Sequence, residues 1–363
     1  MSIPALYRSL YGFALQWIED ECDTRVTNLV WLMFGIFQSR SVQMNLLVRK
    51  LPIQAKKLSL VTRMGRFLSN EAVRVREWYA PSARVVLTNA GRSGRVRLIL
   101  DATKVSSGHR LLMVSVAYQR RSVPLAWTWV RTSRGHSTTA KQVKLLVYVQ
   151  SLCPSGVQVA LVGDCEFDHP LLIENITHWG WDYALRQAGR YQVWPHASPT
   201  WQRIDSLALI PGESRWLGRI LLTAASPFPT HLVLHWQVAQ QAPWYLATNL
   251  LCPQAAIHLY SRRMWIEEMF GDMKKHGFDL ESSHLHHFLR LSRLTLVVCL
   301  LYLWLLALGE HVLQHGLSGQ IDRTDRRDLS IFRLGWDFLE DCLRLSQPIP
   351  SIPFLNFCSV SGR

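Results

Sequence analysis

Two short apolar runs that each stop on an aspartate set the strongest limit on what this chain can fold into. "LILD" closes on Asp101 and "VALVGD" closes on Asp164. A continuous apolar run suits a strand buried on both faces. The pair therefore predicts two adjacent central strands that end with both carboxylates at one sheet edge. Around them the hydrophobic period is that of strands: "VRLILDATK", "RLLMVSVAYQR" and "SVPLAWTWV" are β-rich and separated by turn-compatible residues at Gly108 and Arg120-Arg121. This pattern predicts a three-stranded antiparallel meander. "STTAKQVKLLVYVQSLC" then has helical spacing after a Ser or Thr cap. A further helix is expected near 168–179, and "WDYALRQ" reads as another strand.

Three strands, helix, strand, helix, strand is the order of a ribonuclease H-like fold. The expected class is thus α/β, with a mixed five-stranded sheet and flanking helices. Residues 95–187 would form its first part. Residues 188–255, with segments such as "RILLTAA" and "THLVLHWQVA", read as a β-strand insertion, and 256–310 read as a helical second part of the core. Residues 1–94 read as a helical, basic DNA-binding region. Residues 311–363 read as a C-terminal helical tail with an amphipathic helix near 327–345. The run Leu294–Leu308 holds fifteen residues without a charge, bounded by Arg293 and Glu310. That falls short of the ~20 residues a bilayer span requires, so a buried core helix is expected and no membrane partner.

Charge points to a polyanion. The chain of 363 residues carries 40 Lys and Arg against 26 Asp and Glu, a net +14, and such an excess attracts nucleic acid through counterion release. Residues 24–97 hold fourteen of the Lys and Arg against two acids, Glu71 and Glu77. "RKLPIQAKKLSLVTRMGR" within that stretch has six basic residues and no acid, as a helical face laid on phosphates would. A solvated helix face has the same composition. The seven cysteines, Cys22, Cys153, Cys165, Cys252, Cys299, Cys342 and Cys358, are scattered without a CxxC pair. They indicate neither a zinc knuckle nor a disulfide framework, and a reducing cytoplasm fits them. Trp17 is soon followed by Glu19, Asp20 and Glu21, unlike an export signal.

Phosphoryl transfer between DNA strands is served by two metal ions held by hard oxygen ligands. Asp101 and Asp164 supply two carboxylates, and a third stands in "YSRRMWIEEMFGDMK". There Tyr260, Arg263, Glu267 and Lys274 fall at offsets 0, 3, 7 and 14. On an ideal helix these occupy one face about 60° wide, with Trp265, Ile266, Met269 and Met273 largely opposite. An ordinary amphipathic helix would also present charge on one side. Glu166 and Asp168 are rival second acids, and the strand-end position favours Asp164. His284, His286 and His287 lack the spacing of a soft-metal site and read as a solvated or DNA-facing helix start.

Tyr260 to Lys274 matches without a gap the Y-(2)-R-(3)-E-(6)-K signature of DDE transposases of bacterial insertion sequences, in the insertion-sequence-four family. "LILDATKVSSGHRLLMVSVAYQRRSVPLAWTWV" resembles that family's first-Asp region, and "VALVGDCEFDHPLLIENITHWGWDYALRQ" resembles its second. The resemblance covers about residues 95–310. It implies Asp101, Asp164 and Glu267 as catalytic ligands of two Mg²⁺ or Mn²⁺ ions, with Tyr260, Arg263 and Lys274 gripping the transposon end. Arg186 resembles a DNA-contacting position of the family. Trp244 is similar in place to an insertion-domain Trp that stacks on a flipped base, with Trp194, Trp201 and Trp216 as competitors. Cys165 departs from the pattern, since many relatives have Arg directly after the second Asp. The implied function is cut-and-paste transposition on double-stranded DNA, by a homodimer in the DNA complex, in the bacterial cytoplasm at the nucleoid. A catalytically inactive DNA-binding repressor and a ribonuclease H-like nuclease are the alternative readings.

Overall fold

The computed structural model describes residues 3–18, 21–106, 108–131, 136–195, 200–352, 355 and 357. Cys358 lies outside them; the six described cysteines are unpaired. The first ninety residues are helical as expected: α1 (Ile3–Leu15), α2 (Asp23–Ser39), α3 (Met44–Leu47), α4 (Lys57–Ser69) and α5 (Val75–Gly91). The three-stranded meander follows as β1 (Arg95–Ser106), β2 (His109–Tyr118) and β3 (Arg121–Arg131). Its tight turns use Gly108 at φ 78° and the pair Gln119 and Arg120 at φ 43° and 62°. Two residues with positive φ match the twist of a two-residue hairpin.

Next come α6 (Thr139–Gln150), β4 (Gln158–Gly163), α7 (Pro170–His178) and β5 (Asp182–Arg186). β4 is buried from Val159 to Gly163, because it lies between two parallel neighbours, β1 and β5. Beyond β5 the chain adds β6 (Gln192–Pro195), β7 (Gln202–Arg203), β8 (Ser214–Leu222), β9 (Phe228–His235) and β10 (Trp244–Thr248). These strands extend the same sheet. It has ten strands in the order β3-β2-β1-β4-β5-β10-β9-β8-β6-β7, which corrects the expectation of a five-stranded sheet. The physical reason is the open edge of β5: its unpaired backbone groups are taken up by antiparallel β10, where Leu246–Thr248 meet Arg186–Ala184.

The expected helical stretch 256–310 is broken. α8 (Pro253–Tyr260) passes through a 3₁₀ turn at Ser261–Arg263 into α9 (Met264–Met273). The chain then leaves helix until α10 (Phe288–Gln314), and α11 (Ile331–Arg344) follows. His284, His286 and His287 precede α10 and are exposed. α10 is longer than its uncharged run suggested. Its 27 residues are long and apolar enough to cross a membrane, yet 94% of its most apolar window is buried inside the protein. It packs on α2, α4, α5, α11 and β3. Each fully buried Leu there contributes roughly 1.5–3 kcal/mol. Even Arg293 is buried at its start, donating to the carbonyls of Leu68 at 3.0 Å and Val73 at 3.1 Å.

α10 and α11 approach each other backbone to backbone. A Cβ on Gly309 would lie 1.9 Å from the Ile331 carbonyl oxygen, and one on Gly335 would lie 1.9 Å from that of Leu305. Only hydrogen fits at this crossing. We therefore expect Gly335→Ala to lower Tm by several degrees, a loss of about 1–3 kcal/mol or more. Gly12→Ala, whose Cβ meets open space in α1, should be neutral or stabilising by about 0.5–1 kcal/mol. Equal melting curves for the two variants would contradict the close crossing.

Candidate active site

The site begins with the register of two strands. β1 and β4 run parallel and in step from Arg95 and Gln158 to Leu100 and Gly163. Asp101 and Asp164 are the next residue on each, so they leave the pairing at the same level. β5 continues the row, since Leu185 pairs with Gly163 and is followed by Arg186. Asp101 does not end its strand, contrary to expectation. β1 runs on to Ser106 because β2 holds it there, with Asp101 opposite Met113. β4 does end, and the Asp164 carboxylate caps the 3₁₀ turn Cys165–Phe167 by accepting the Glu166 N–H at 2.9 Å.

Glu267 is brought in by α9. Ile266, Met269, Phe270 and Met273 are buried against the sheet, which turns Glu267 toward the edge of the row. Between the acids lies Arg263. One terminal nitrogen donates to Asp101 Oδ2 at 3.1 Å and the other to Glu267 Oε1 at 2.5 Å. The guanidinium is mostly buried, whereas the Glu267 side chain is 45% exposed. The i,i+4 spacing brings Arg263 to Glu267, at the junction of the 3₁₀ turn Ser261–Arg263 with α9.

Electrostatics ties Asp164 to the same group. Burial and then the Asp164 charge push the Asp101 carboxyl up to about 7, against the pull of Arg263 and the Ala102 N–H, with Glu267 adding to the rise. Two nearby carboxylates in low dielectric resist ionising together. Among the described residues no group of three His, Cys, Asp or Glu side chains stands close enough to hold a metal ion. Arg263 thus links Asp101 to Glu267 and the Asp164 charge acts on Asp101, without the three acids converging directly.

The other expected residues divide. Tyr260 is buried beside the row, where burial raises its phenol well above the ordinary range and its hydroxyl has no partner among the described residues. Arg186 donates to the Pro243 carbonyl at 3.0 Å, and its charge reaches both Tyr260 and Cys165. Lys274 is not with them. It donates to the Lys104 carbonyl at 2.5 Å and pairs with Glu281 at 3.1 Å, because α9 ends at Met273. Trp244 is only 8% exposed, its ring meeting Tyr260 edge-on at 4.8 Å. Trp216 stacks on His231 at 5.1 Å. Trp194 is 40% exposed and lies 5.8 Å from Trp201.

The rival acids are engaged elsewhere. Glu166 accepts from the Ser137 N–H and hydroxyl, both at 2.7 Å, and pairs with Arg110 at 2.8 Å. Asp168 accepts from Tyr191 at 3.1 Å, and burial pushes it up to about 6 against that bond. Arg110 was missed by the sequence reading. It also donates to the Ala102 carbonyl at 3.0 Å, so it braces the backbone just after Asp101 against the turn just after Asp164. Its place at the start of β2 is an ordinary strand position, and no spacing marks it.

A raised carboxyl pKa makes the folded state favour the protonated form. Stability is then full below the unfolded value near 4 and is lost as pH rises through about 7. In EDTA, Asp101→Asn should gain on the wild type as pH rises from about 5 to about 8, by about 2–3 kcal/mol. A Tm difference independent of pH would contradict this coupling.

No curated protein matches the chain significantly. Among solved structures it is similar to the piggyBac transposase synaptic complex with hairpin DNA, determined by cryo-EM. That likeness has a TM-score of 0.39 at 11% identity and covers 96% of this chain and 80% of the other. The family described as Transposase DDE domain matches residues 92–304, more than half the chain and all of the carboxylate row. The chain belongs to the DDE transposase domain family.

Proposed function

We propose that this protein is a cut-and-paste DNA transposase of the insertion-sequence-four type. It would release a 3′-hydroxyl at each element end by hydrolysis and then join that hydroxyl to target DNA. The observation that carries the reading is the Arg263 bridge. It draws Glu267, from a helix more than 160 residues downstream, to Asp101, and Asp101 responds to the charge of Asp164. Strands β1 to β5 with α6 to α10 would be the ribonuclease H-like core, over 95–187 and 256–310, with 188–255 the insertion, 1–94 the helical DNA grip and 311–363 the tail.

The donor set suits a hard divalent cation, for it consists of carboxylate oxygens whose mutual repulsion a cation relieves. Asp101, Asp164 and Glu267 would hold two Mg²⁺ or Mn²⁺ ions, which when bound activate the attacking oxygen and steady the leaving one. The remaining work belongs to the chain. Arg263, with Arg186 and the Tyr260 hydroxyl beside it, would fix the phosphate next to the acids, and Lys274 a phosphate farther along. Trp244 backs Tyr260, while exposed Trp194, with half-buried Trp201 beside it, would offer its indole to an extruded base. Positioning and electrostatics accomplish the reaction with no covalent protein intermediate. Two ends must be paired, so two copies are expected on DNA, working in the bacterial cytoplasm on the nucleoid.

A plasmid carrying the gene with its flanking genomic DNA tests the reading. Wild type should excise the element, and Asp101→Asn, Asp164→Asn and Glu267→Gln should each lower excision at least about a hundredfold, the scale at which even ligand-supporting partners act. Undiminished excision by Glu267→Gln would remove it from the mechanism. Cutting without joining of a precut end would indicate a nuclease, and binding without cutting a repressor. Excess Mn²⁺ should also raise the Tm of the wild type, as any ligand of the folded state does. That rise should shrink in Glu267→Gln; an unchanged rise would place the ion elsewhere.

A further inference from the structure

A groove of about 1250 Å³ lies along the N-terminal half of β1, with Arg95, Arg97, Arg120, Trp265 and Arg327 on its wall. Residues two apart on a strand share a face, so Arg95, Arg97 and Asp101 point the same way. At about 3.3 Å per residue, Arg97 stands roughly 13 Å from Asp101, about four base steps of a DNA strand. Trp265 enters from α9, two residues before Glu267. Two residues are about 200° of turn, so Trp265 lies on the side of α9 away from Glu267, and it is the shared face of β1 that leads from the groove toward Asp101.

Its charges are incompletely balanced. Arg95 pairs with Asp182 at 3.0 Å, and Arg323 and Arg326, in the segment that forms the far wall, pair with Asp325 and Asp328. Arg97, Arg120 and Arg327 form no ion pair among the described residues. Arg97 is instead half-buried, and burial, then the charges of the neighbouring Arg262 and Arg95, lower its affinity for its proton. Arg262 turns to the His258 carbonyl at 2.5 Å and the face of Trp265 at 5.8 Å. Arg97 and Arg262, neither of which has an ion pair among the described residues, are like charges held together, an arrangement that destabilises the protein unless an anion joins them.

We propose that this groove carries the phosphodiester backbone of the duplex whose strand reaches the carboxylates, with Arg97, Arg120 and Arg327 each facing a phosphate. The inference rests on the transposase reading and adds a DNA track to it, outside the transposase signature segment and outside the basic N-terminal helices. Such contacts read no sequence, so a labelled duplex of mixed sequence is a sufficient probe.

The test is fluorescence anisotropy of that duplex in EDTA over a salt series, with the full-length chain. Each phosphate contact adds about 0.9 to the slope of log affinity against log salt. The variant Arg97→Gln/Arg120→Gln/Arg327→Gln should lose about 2–3 from the slope and bind about tenfold or more weakly near ~0.1 M salt. Arg344→Gln on α11, a surface residue paired with Asp341, should match the wild type. If the triple variant misfolds by circular dichroism, Arg120→Gln and Arg327→Gln, both at exposed positions, should each lose about 1. A folded variant with the wild-type slope overturns the proposal. So does a polyglutamate of matched charge that displaces the duplex as well as unlabelled duplex does. Because binding is read without divalent metal, a chain that never cuts DNA would count against the transposase reading and leave this result standing. An unchanged slope in a chain that does cut would count against the groove alone.

Discussion

The parallel pairing of β1 with β4 is the constraint on which the rest of the molecule depends. It places residues more than sixty positions apart in the chain at the same level, and neighbouring parallel strands lie only about 4.7–4.9 Å apart. Two carboxylates held so closely resist ionising together, and the structure meets that repulsion with an arginine. Arg263 reaches Asp101 from a different part of the fold and ties Glu267 to it. Burying acidic groups without such partners would cost several kcal/mol each.

The acids near the row in sequence show how position in the fold separates one carboxylate from another. Glu166 is two residues from Asp164, yet its oxygens are taken by Ser137 and Arg110. Glu268 follows Glu267 directly, but one step around a helix turns it by about 100°. It faces Arg121 at 3.2 Å, and Asp272 meets the same guanidinium at 2.8 Å. Those pairs pin α9 onto the β2–β3 hairpin. Glu267, pointing the other way and nearly half exposed, is the one left beside the row.

The helices serve the sheet in a similar way. α10 is apolar on every side because it is surrounded by helices and by β3, and a helix buried all round needs no polar face. Its backbone contact with α11 through Gly309 and Gly335 lets the C-terminal helix seal that core. On the other flank, β10 covers β5 and carries four further strands onto the sheet. The row of Asp101, Asp164 and Arg186 thus lies in the interior of a ten-stranded sheet, far from either edge, where neighbours on both sides keep it rigid.

Much of this was legible in the residues. Strand and helix periods in "VRLILD", "VALVGD" and "KQVKLLVYV" give the element order, because side-chain burial repeats with the local geometry. The same periods, with the spacing of Arg263 and Glu267, singled out two residues that hydrogen bonds link beside Asp101. What the sequence could not decide was non-local. An apolar run ending in Asp looks like the end of a strand, but β2 carries β1 on to Ser106. An ideal helix put Lys274 in line with Glu267, but α9 stops at Met273 and Lys274 turns to Lys104. By its place in the chain Trp244 resembles a base-stacking residue, whereas its ring is buried against Tyr260. Local periodicity records which face of an element is buried; which partner buries it, and which charge answers a given charge, is settled only when distant segments meet.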